Sequence, residues 1–247
     1  MSSRLSIFLL LLFAFPAWNC KKENACDCFK RTGDVVTEER QPGDFHNVYV
    51  EDNVNLIFVE DTTSLLRVEA GKNLVKLIKT ESDGNWLRIR NDNKCNFTRR
   101  YDVPVNVYIH YKRNQVFHIK SKATGEITNA NPSTSDSLDL DIESSGDINF
   151  SVARGIIYTH QHGAGDVTVT GNADQVIIYS TGTGFTISDG CTSFYTWVYT
   201  NTTGKITVNP TTYLTTKIEG SGNVYYKSQP PYVTNIETST GRLLPLP

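Results

Sequence analysis

The sequence predicts an all-β fold, a β-solenoid with coils of about 19 residues, and three observations carry that prediction. First, seven segments of the second half share one pattern: a small residue, Gly, any residue, then often apolar–x–apolar. The shared glycines are Gly125, Gly146, Gly165, Gly184, Gly204, Gly222 and Gly241, at separations of 21, 19, 19, 20, 18 and 19. Second, each bend is flanked by strand-like positions. Leu138, Ile157, Val176, Thr196, Leu214 and Val233 stand eight residues before a shared Gly. Ile127, Ile148, Val167, Thr186, Ile206, Val224 and Leu243 stand two after one. The alternation Ile148-x-Phe150, Val167-x-Val169 and Ile206-x-Val208 buries one face and wets the other. Third, no helical stretch of 10 to 12 residues intervenes, which disfavours strand–helix–strand units.

A unit of about 19 residues cannot bury its own apolar face, whereas stacked equivalents can, at about 4.8 Å per rung. The Gly at each bend supplies a backbone conformation or a close approach that a side chain would obstruct. A right-handed parallel β-helix over residues 121–247 follows. A sandwich or prism of hairpins also gives short strands at 8 to 12 residue spacing; the aligned bends favour the solenoid.

Taken from the amino terminus, residues 1–20 read as an export signal. Arg4 precedes an apolar run from Leu5 to about Phe15, too short for a permanent bilayer span. The run ends at Cys20, followed by Lys21, Lys22, Glu23 and Asn24, which suggests a lipoprotein signal with Cys20 acylated. Bacterial lipoproteins favour a small residue before that Cys, where this chain has Trp18 and Asn19; cleavage near Ala17 is the alternative. Acylation would tether the protein to a membrane without spanning it. Residues 21–34 form the tether and residues 35–247 a single domain.

Export implies oxidising conditions, so Cys26, Cys28, Cys95 and Cys191 can form one bridge or two. Cys28 to Cys95 is the favoured bridge, pinning the tether to the domain. Cys26-x-Cys28 without a second pair lacks zinc spacing.

Residues 35–120 are β-rich without the bends. Val48-Tyr49-Val50, Val54-x-Leu56-x-Phe58, Leu66-x-Val68 and Val103-x-Val105-x-Val107-x-Ile109 read as strands. Asp83-Gly84 marks a turn into Trp86-Leu87-Arg88-Ile89. This part is either the first coils of the solenoid or a distinct cap.

Composition narrows the function. Of 247 residues, 38% are hydrophobic and 20% charged, with 24 Lys and Arg against 26 Asp and Glu. Disorder is excluded, and there is no basic excess for nucleic acid. The near-neutral total hides an asymmetry: residues 21–122 carry 18 basic and 15 acidic groups (+3), residues 123–247 carry 5 and 11 (−6).

Candidate chemistry is sparse. Glu126, Asp147 and Asp166 follow shared glycines and would stack as an acidic ladder, but Phe185, Lys205, Asn223 and Arg242 replace them in later coils. A dedicated ligand row would not change so freely, so solvated turn carboxylates are expected. Asp139, Asp141 and Glu143 alternate with Leu138, Leu140 and Ile142, a strand with one wet acidic face. His160-Gln161-His162 puts two imidazoles on one face with no third ligand in view. Phe194 to Tyr199 is aromatic on both strand faces, so one should be core and the other a platform for sugar rings or a protein. Tyr179, Tyr195, Trp197 and Tyr199 are the candidate binding residues. No Gly-x-Ser-x-Gly, phosphate loop or dinucleotide fingerprint occurs. No metal and no cofactor is expected.

Several stretches together resemble the auto-transporter adhesin head GIN-domain family of Bacteroidota lipoproteins. They are Phe45-His46-Asn47-Val48, Val68-Glu69-Ala70-Gly71-Lys72-Asn73-Leu74, Asp83-Gly84-Asn85-Trp86-Leu87, Ser145-Gly146-Asp147-Ile148-Asn149 and Gly220-Ser221-Gly222-Asn223-Val224-Tyr225-Tyr226. The resemblance implies an exported β-helix-like domain and carries over no catalytic residues. The expectation is a non-enzymatic, lipid-anchored envelope protein, placed at the outer membrane, that binds glycan or protein. A carbohydrate-active enzyme on a β-helix and a purely structural envelope protein are the alternatives.

Overall fold

The computed structural model describes residues 31–94 and 103–247. The chain is all-β with essentially no helix, and its parallel coils of about 19 residues stack into a solenoid of about seven turns. In chain order the strands are β1 (Val35–Arg40), β2 (Asn47–Asp52), β3 (Asn55–Asp61), β4 (Leu65–Gly71), β5 (Ile78–Asp83), β6 (Trp86–Asn91), β7 (Asn106–Lys112), β8 (His118–Ala123) and β9 (Ile127–Asn129). They continue as β10 (Ser137–Ile142), β11 (Ile148–Val152), β12 (Ile156–Gln161), β13 (Val167–Ser180), β14 (Thr186–Thr200), β15 (Ile206–Ile218), β16 (Val224–Tyr226), β17 (Tyr232–Glu237) and β18 (Leu243–Pro245).

Each coil contributes one strand to each of two faces. Face A stacks β6, β2, β8, β10, β12 and the second halves of β13, β14 and β15, ending at β17. Face B stacks β7, β3, β9, β11 and the first halves of β13, β14 and β15, ending at β16 and β18. The long strands β13 to β15 run through both faces, so all 18 strands join in one sheet.

The register follows the glycine spacing. Ile148 lies beside Val167, Val167 beside Thr186 and Thr186 beside Ile206. Leu138, Ile157, Val176, Thr196 and Leu214 likewise align and are buried. Between β14 and β15 a bulge absorbs the departure from 19. Thr186 to Ile206 spans 20 residues and Tyr195 to Tyr213 spans 18, and β14 shifts register against β15 between them.

Close approach is what the bends require of glycine. A Cβ at Gly165 would overlap the carbonyl oxygen of Gly146, and one at Gly184 that of Gly165. The glycines rest on one another from coil to coil, at a separation that admits no side chain.

The front is both solenoid and cap. β2 and β3 make a regular coil, and β6 and β7 make another on its outer side. The first coil in the chain is therefore the second in the stack, with β8 and β9 on its other flank. Three antiparallel strands then close the end. β5 pairs β6 across the Asp83-Gly84 turn, while β4 pairs β7 and β1 pairs β4. Among the described residues the far end has no such cover. All six residues of β17 are exposed, and its inward positions carry Val233, Asn235 and Glu237, the last two joined by a 2.8 Å hydrogen bond. Two polar inward residues of three disfavour the addition of another strand.

Candidate functional site

On face A, inward residues form the core and the alternating residues form two outer columns. The register sets the first column as Trp86, Asn47, His118, Asp139, Tyr158, Ile177, Trp197, Thr215 and Thr234. The second is Arg88, Tyr49, Lys120, Asp141, His160, Tyr179, Tyr199, Lys217 and Ile236. Strand alternation and near-equal coil lengths keep like positions on the same side from coil to coil.

The middle of this face is aromatic. The His160 ring stacks on Tyr179 at 5.0 Å and 4°. Tyr179 in turn lies 4.8 Å from Trp197 and 6.3 Å from Tyr199. The Tyr199 hydroxyl donates to Glu219 at 2.7 Å, which raises its pKa, and the Lys217 ammonium lies 5.5 Å from its ring. The candidates Tyr179, Tyr195, Trp197 and Tyr199 thus share one outer face, each half-buried.

The Phe194 to Tyr199 segment corrects the expectation that its aromatics divide between core and surface. Its inward residues are Thr196 and Val198, and all its rings lie outside. The candidate list also stopped short. Tyr213 and Tyr232 align with Tyr195 along the edge of face A. Tyr213 contacts Phe194 at 5.4 Å and stacks on Tyr232 at 4.9 Å. All three of Phe194, Tyr213 and Tyr232 are exposed. The signal was present, since Tyr195, Tyr213 and Tyr232 each stand nine residues before a shared Gly.

The front of face A is charged. Lys120 Nζ bonds Asp141 at 2.8 Å and also Glu143, and Lys122 pairs with Glu143 at 3.1 Å. His118 Nε2 lies 3.7 Å from Asp141, an ion-pair separation and too long for a hydrogen bond. His160 Nε2 lies 3.5 Å from Asp139. The expected wet acidic face is thus an ion-paired network, and Asp141 is buried. Burial raises Asp139, with His160 and His118 only partly opposing it. Burial also acts upward on Asp141, but His118 and Lys120 outweigh it and hold the carboxyl at about 2. Asp139 Oδ1, Asp141 Oδ1 and His118 Nε2 have no hydrogen-bond partner.

Two of the three carboxylates at the bends turn out to be staples, while Glu126 accepts the Asn149 side-chain amide at 2.7 Å. Asp147 Oδ1 accepts the Asp166 N–H at 2.8 Å, and Asp166 Oδ1 accepts the Phe185 N–H at 2.7 Å. Asn55 serves Glu126, and Asn223 serves Arg242, in the same way. Each side chain satisfies the backbone donor one coil along. His162 bonds the Thr181 hydroxyl at 2.6 Å, and no group of three or more His, Cys, Asp or Glu among the described residues could hold a metal ion. Cys191 is a free thiol, 1% exposed, with burial pushing its pKa up to about 11. Cys20, Cys26, Cys28 and Cys95 lie outside the described residues. No helix among the described residues is long and apolar enough to cross a membrane.

A stacked parallel coil with one aromatic and charged outer face defines a β-solenoid module. The family model described as putative auto-transporter adhesin, head GIN domain, matches residues 44–230, and the chain belongs to that family. Three crystal structures share the fold. A putative adhesin from Bacteroides fragilis has a TM-score of 0.77 at 19% identity, covering 88% of this chain and all of its own. A putative adhesin from Parabacteroides merdae has a TM-score of 0.60 at 14% identity, covering 88% of this chain and 99% of its own. A putative lipid binding protein from Parabacteroides distasonis has a TM-score of 0.58 at 19% identity, covering 88% of this chain and all of its own. No protein of curated function matches the sequence.

Proposed function

We propose that this protein is an exported adhesion module, lipid-anchored through Cys20 at the outer membrane, that binds glycan or protein through face A. The observation that carries the reading is the contiguous outer group of Tyr179, Trp197 and Tyr199, continued along the edge by Tyr195, Tyr213 and Tyr232. Aromatic rings supply large contact area at low conformational cost. The family and two of the three structural neighbours are described as putative adhesins and the third as a putative lipid binding protein, which supports binding over catalysis.

The test has two parts. Cys20→Ala should move the protein from the membrane fraction to the soluble one, and unchanged fractionation rejects the anchor. Trp197→Ala with Tyr199→Ala should abolish binding of the purified domain to its hits on glycan and protein arrays while the β-type circular dichroism is kept. Undiminished binding rejects face A.

A second reading, glycan hydrolysis, is favoured by one observation. Asp139 is raised and Asp141 lowered two residues apart on one strand, the divergence that separates a general acid from a base. A polysaccharide-degradation assay decides it: product release that Asp139→Asn abolishes would replace adhesion with catalysis.

A further inference from the structure

We propose a second binding site away from the aromatic columns, for an acidic sugar: a cavity of about 570 Å³ at the corner ahead of β2 and β8. Its walls come from four separate stretches of chain, around Asp44 to His46, Ser64, Asn85, and the turn from Lys112 to Gln115. The volume is within the range that holds small ligands.

The groups around it form a coherent set. Lys112 and Arg113 are the cations of the lining and Asp44 its carboxylate; Asp136, just outside the lining, pairs with Arg113 but is shared with Arg154 at 3.2 Å, so the corner keeps a net positive charge. The Lys112 ammonium enters no ion pair among the described residues, so its charge is available to a ligand. Arg113 is braced, with Nε donating to the Thr134 carbonyl at 3.1 Å and Nη2 to Asp136 at 2.6 Å. His46 Nδ1 lies 2.9 Å from the Gln115 carbonyl. A carbonyl can only accept, so Nδ1 carries the proton and, in the neutral ring, Nε2 is left as an acceptor. Phe117, 44% exposed, is not part of the lining but lies against the His46 ring at 5.6 Å, where a ligand extending past His46 would meet it.

The turn is held in place. Asn114 adopts a left-handed φ of 59°. Its side-chain amide donates to Asp136 at 2.8 Å, and its side-chain oxygen accepts the Asp136 N–H at 2.8 Å. Gln115 Nε2 reaches Ser64 at 3.2 Å, tying the turn to the start of β4. A pre-formed cavity loses less entropy on binding.

The net positive charge, with Lys112 unpaired, calls for an anionic group. Asp44, His46 Nε2 and the Asn85 amide suit hydroxyl groups, and an exposed ring suits the apolar face of a pyranose. A carboxylate on a polyhydroxylated ring satisfies all three, whereas inorganic phosphate leaves the acceptors and Phe117 unused. The shared chemistry is a uronate, as a free monosaccharide or as a unit of an acidic polysaccharide.

The test is a heteronuclear NMR titration of residues 31–247 carried in the full chain, with sodium D-glucuronate as probe. D-glucose and sodium acetate are the controls, and a uronate tetrasaccharide is a further arm. Glucuronate should shift the amides of Phe45, His46, Asn114 and Gln115, and both controls should fail to. Lys112→Ala and Phe117→Ala, both at exposed positions, should each weaken the response at least tenfold. Trp197→Ala should leave it unchanged, so failure of face A and failure of this site are separable. Tighter binding of the tetrasaccharide assigns the site to a polymer, and equal binding assigns it to the free sugar. No shifts with glucuronate, the same shifts with acetate or glucose, or an intact response in Lys112→Ala overturns the proposal.

Discussion

The front and back of the solenoid bury their interiors by different means. Around β3, β7 and β11 the core is aromatic: the Phe58 ring lies 5.9 Å from Tyr111 and 5.7 Å from Phe150, both edge to face. From β12 onward small hydroxyl side chains share the interior, among them Thr159, Ser180, Thr186, Thr196, Thr200 and Thr216. Irregular front coils leave gaps that large rings fill. Coils of nearly constant length place one small side chain above the next, and a β-branched residue is enough. The hydroxyls must then find partners. Ser193 and Thr196 bond each other at 2.6 Å, and Ser188 donates to the Thr207 carbonyl at 2.8 Å. Thr159, Thr186 and Thr200 keep unpartnered hydroxyl oxygens.

The contrast breaks hardest at Phe58. Phe58→Ala should cost about 4 kcal/mol by loss of burial and cavity formation, read as a fall in the denaturant midpoint. A loss below about 1 kcal/mol would mean that the front core is loosely packed. The bends of the back come next. Gly165→Ala forces a methyl against the Gly146 carbonyl and should cost about 3 kcal/mol, a fall of about 10 °C in Tm.

At the junction of the two regions, Asp139 and Asp141 should respond in opposite directions. Asp141 sits at about 2, below its ordinary value. Its stabilisation is complete above about pH 4 and is lost as pH falls through about 2. Asp141→Asn should therefore lower stability at pH 7 by roughly 2 kcal/mol, with the difference from wild type vanishing near pH 2. The Asp139 carboxyl is raised by burial, so its charge disfavours the fold at neutral pH, and Asp139→Asn should be neutral or stabilising. Chemical denaturation across pH reads both. The smallest effect lies in the back interior. Thr159→Val removes an unpartnered hydroxyl at nearly constant volume and should stabilise by about 1 kcal/mol, seen as a rise in Tm.

The back of the molecule was legible because its instructions are local and repeated. The shared glycines set the coil length, and the residues eight before and two after each one set the strand register. The export signal expected over residues 1–20, and the expected tether as far as residue 30, lie outside the described residues. Tyr213 and Tyr232 were legible in principle from the same offset that marks Tyr195. The misreading of Phe194 to Tyr199 came from assuming that a fully aromatic segment must place rings in the core. The interior there takes Thr196 and Val198, which stack between Val176 and Leu214 and between Ile178 and Thr216, in aliphatic and β-branched columns with no ring.

What the linear pattern settled is the repeating unit and its spacing, since a period of about 19 residues obliges each strand to lie beside its own equivalent. What only the folded molecule decided lies where that period is absent. Nothing in the order of β2, β3, β6 and β7 says that the later coil is outermost, or that β1, β4 and β5 turn antiparallel to close the end. Those placements answer a demand that exists only once the stack has formed, the satisfaction of its first exposed edge. The corner cavity has the same origin. Residues near 44, 64, 85 and 112 come together because the front coils are stacked out of chain order, a neighbourhood that no spacing in the sequence records.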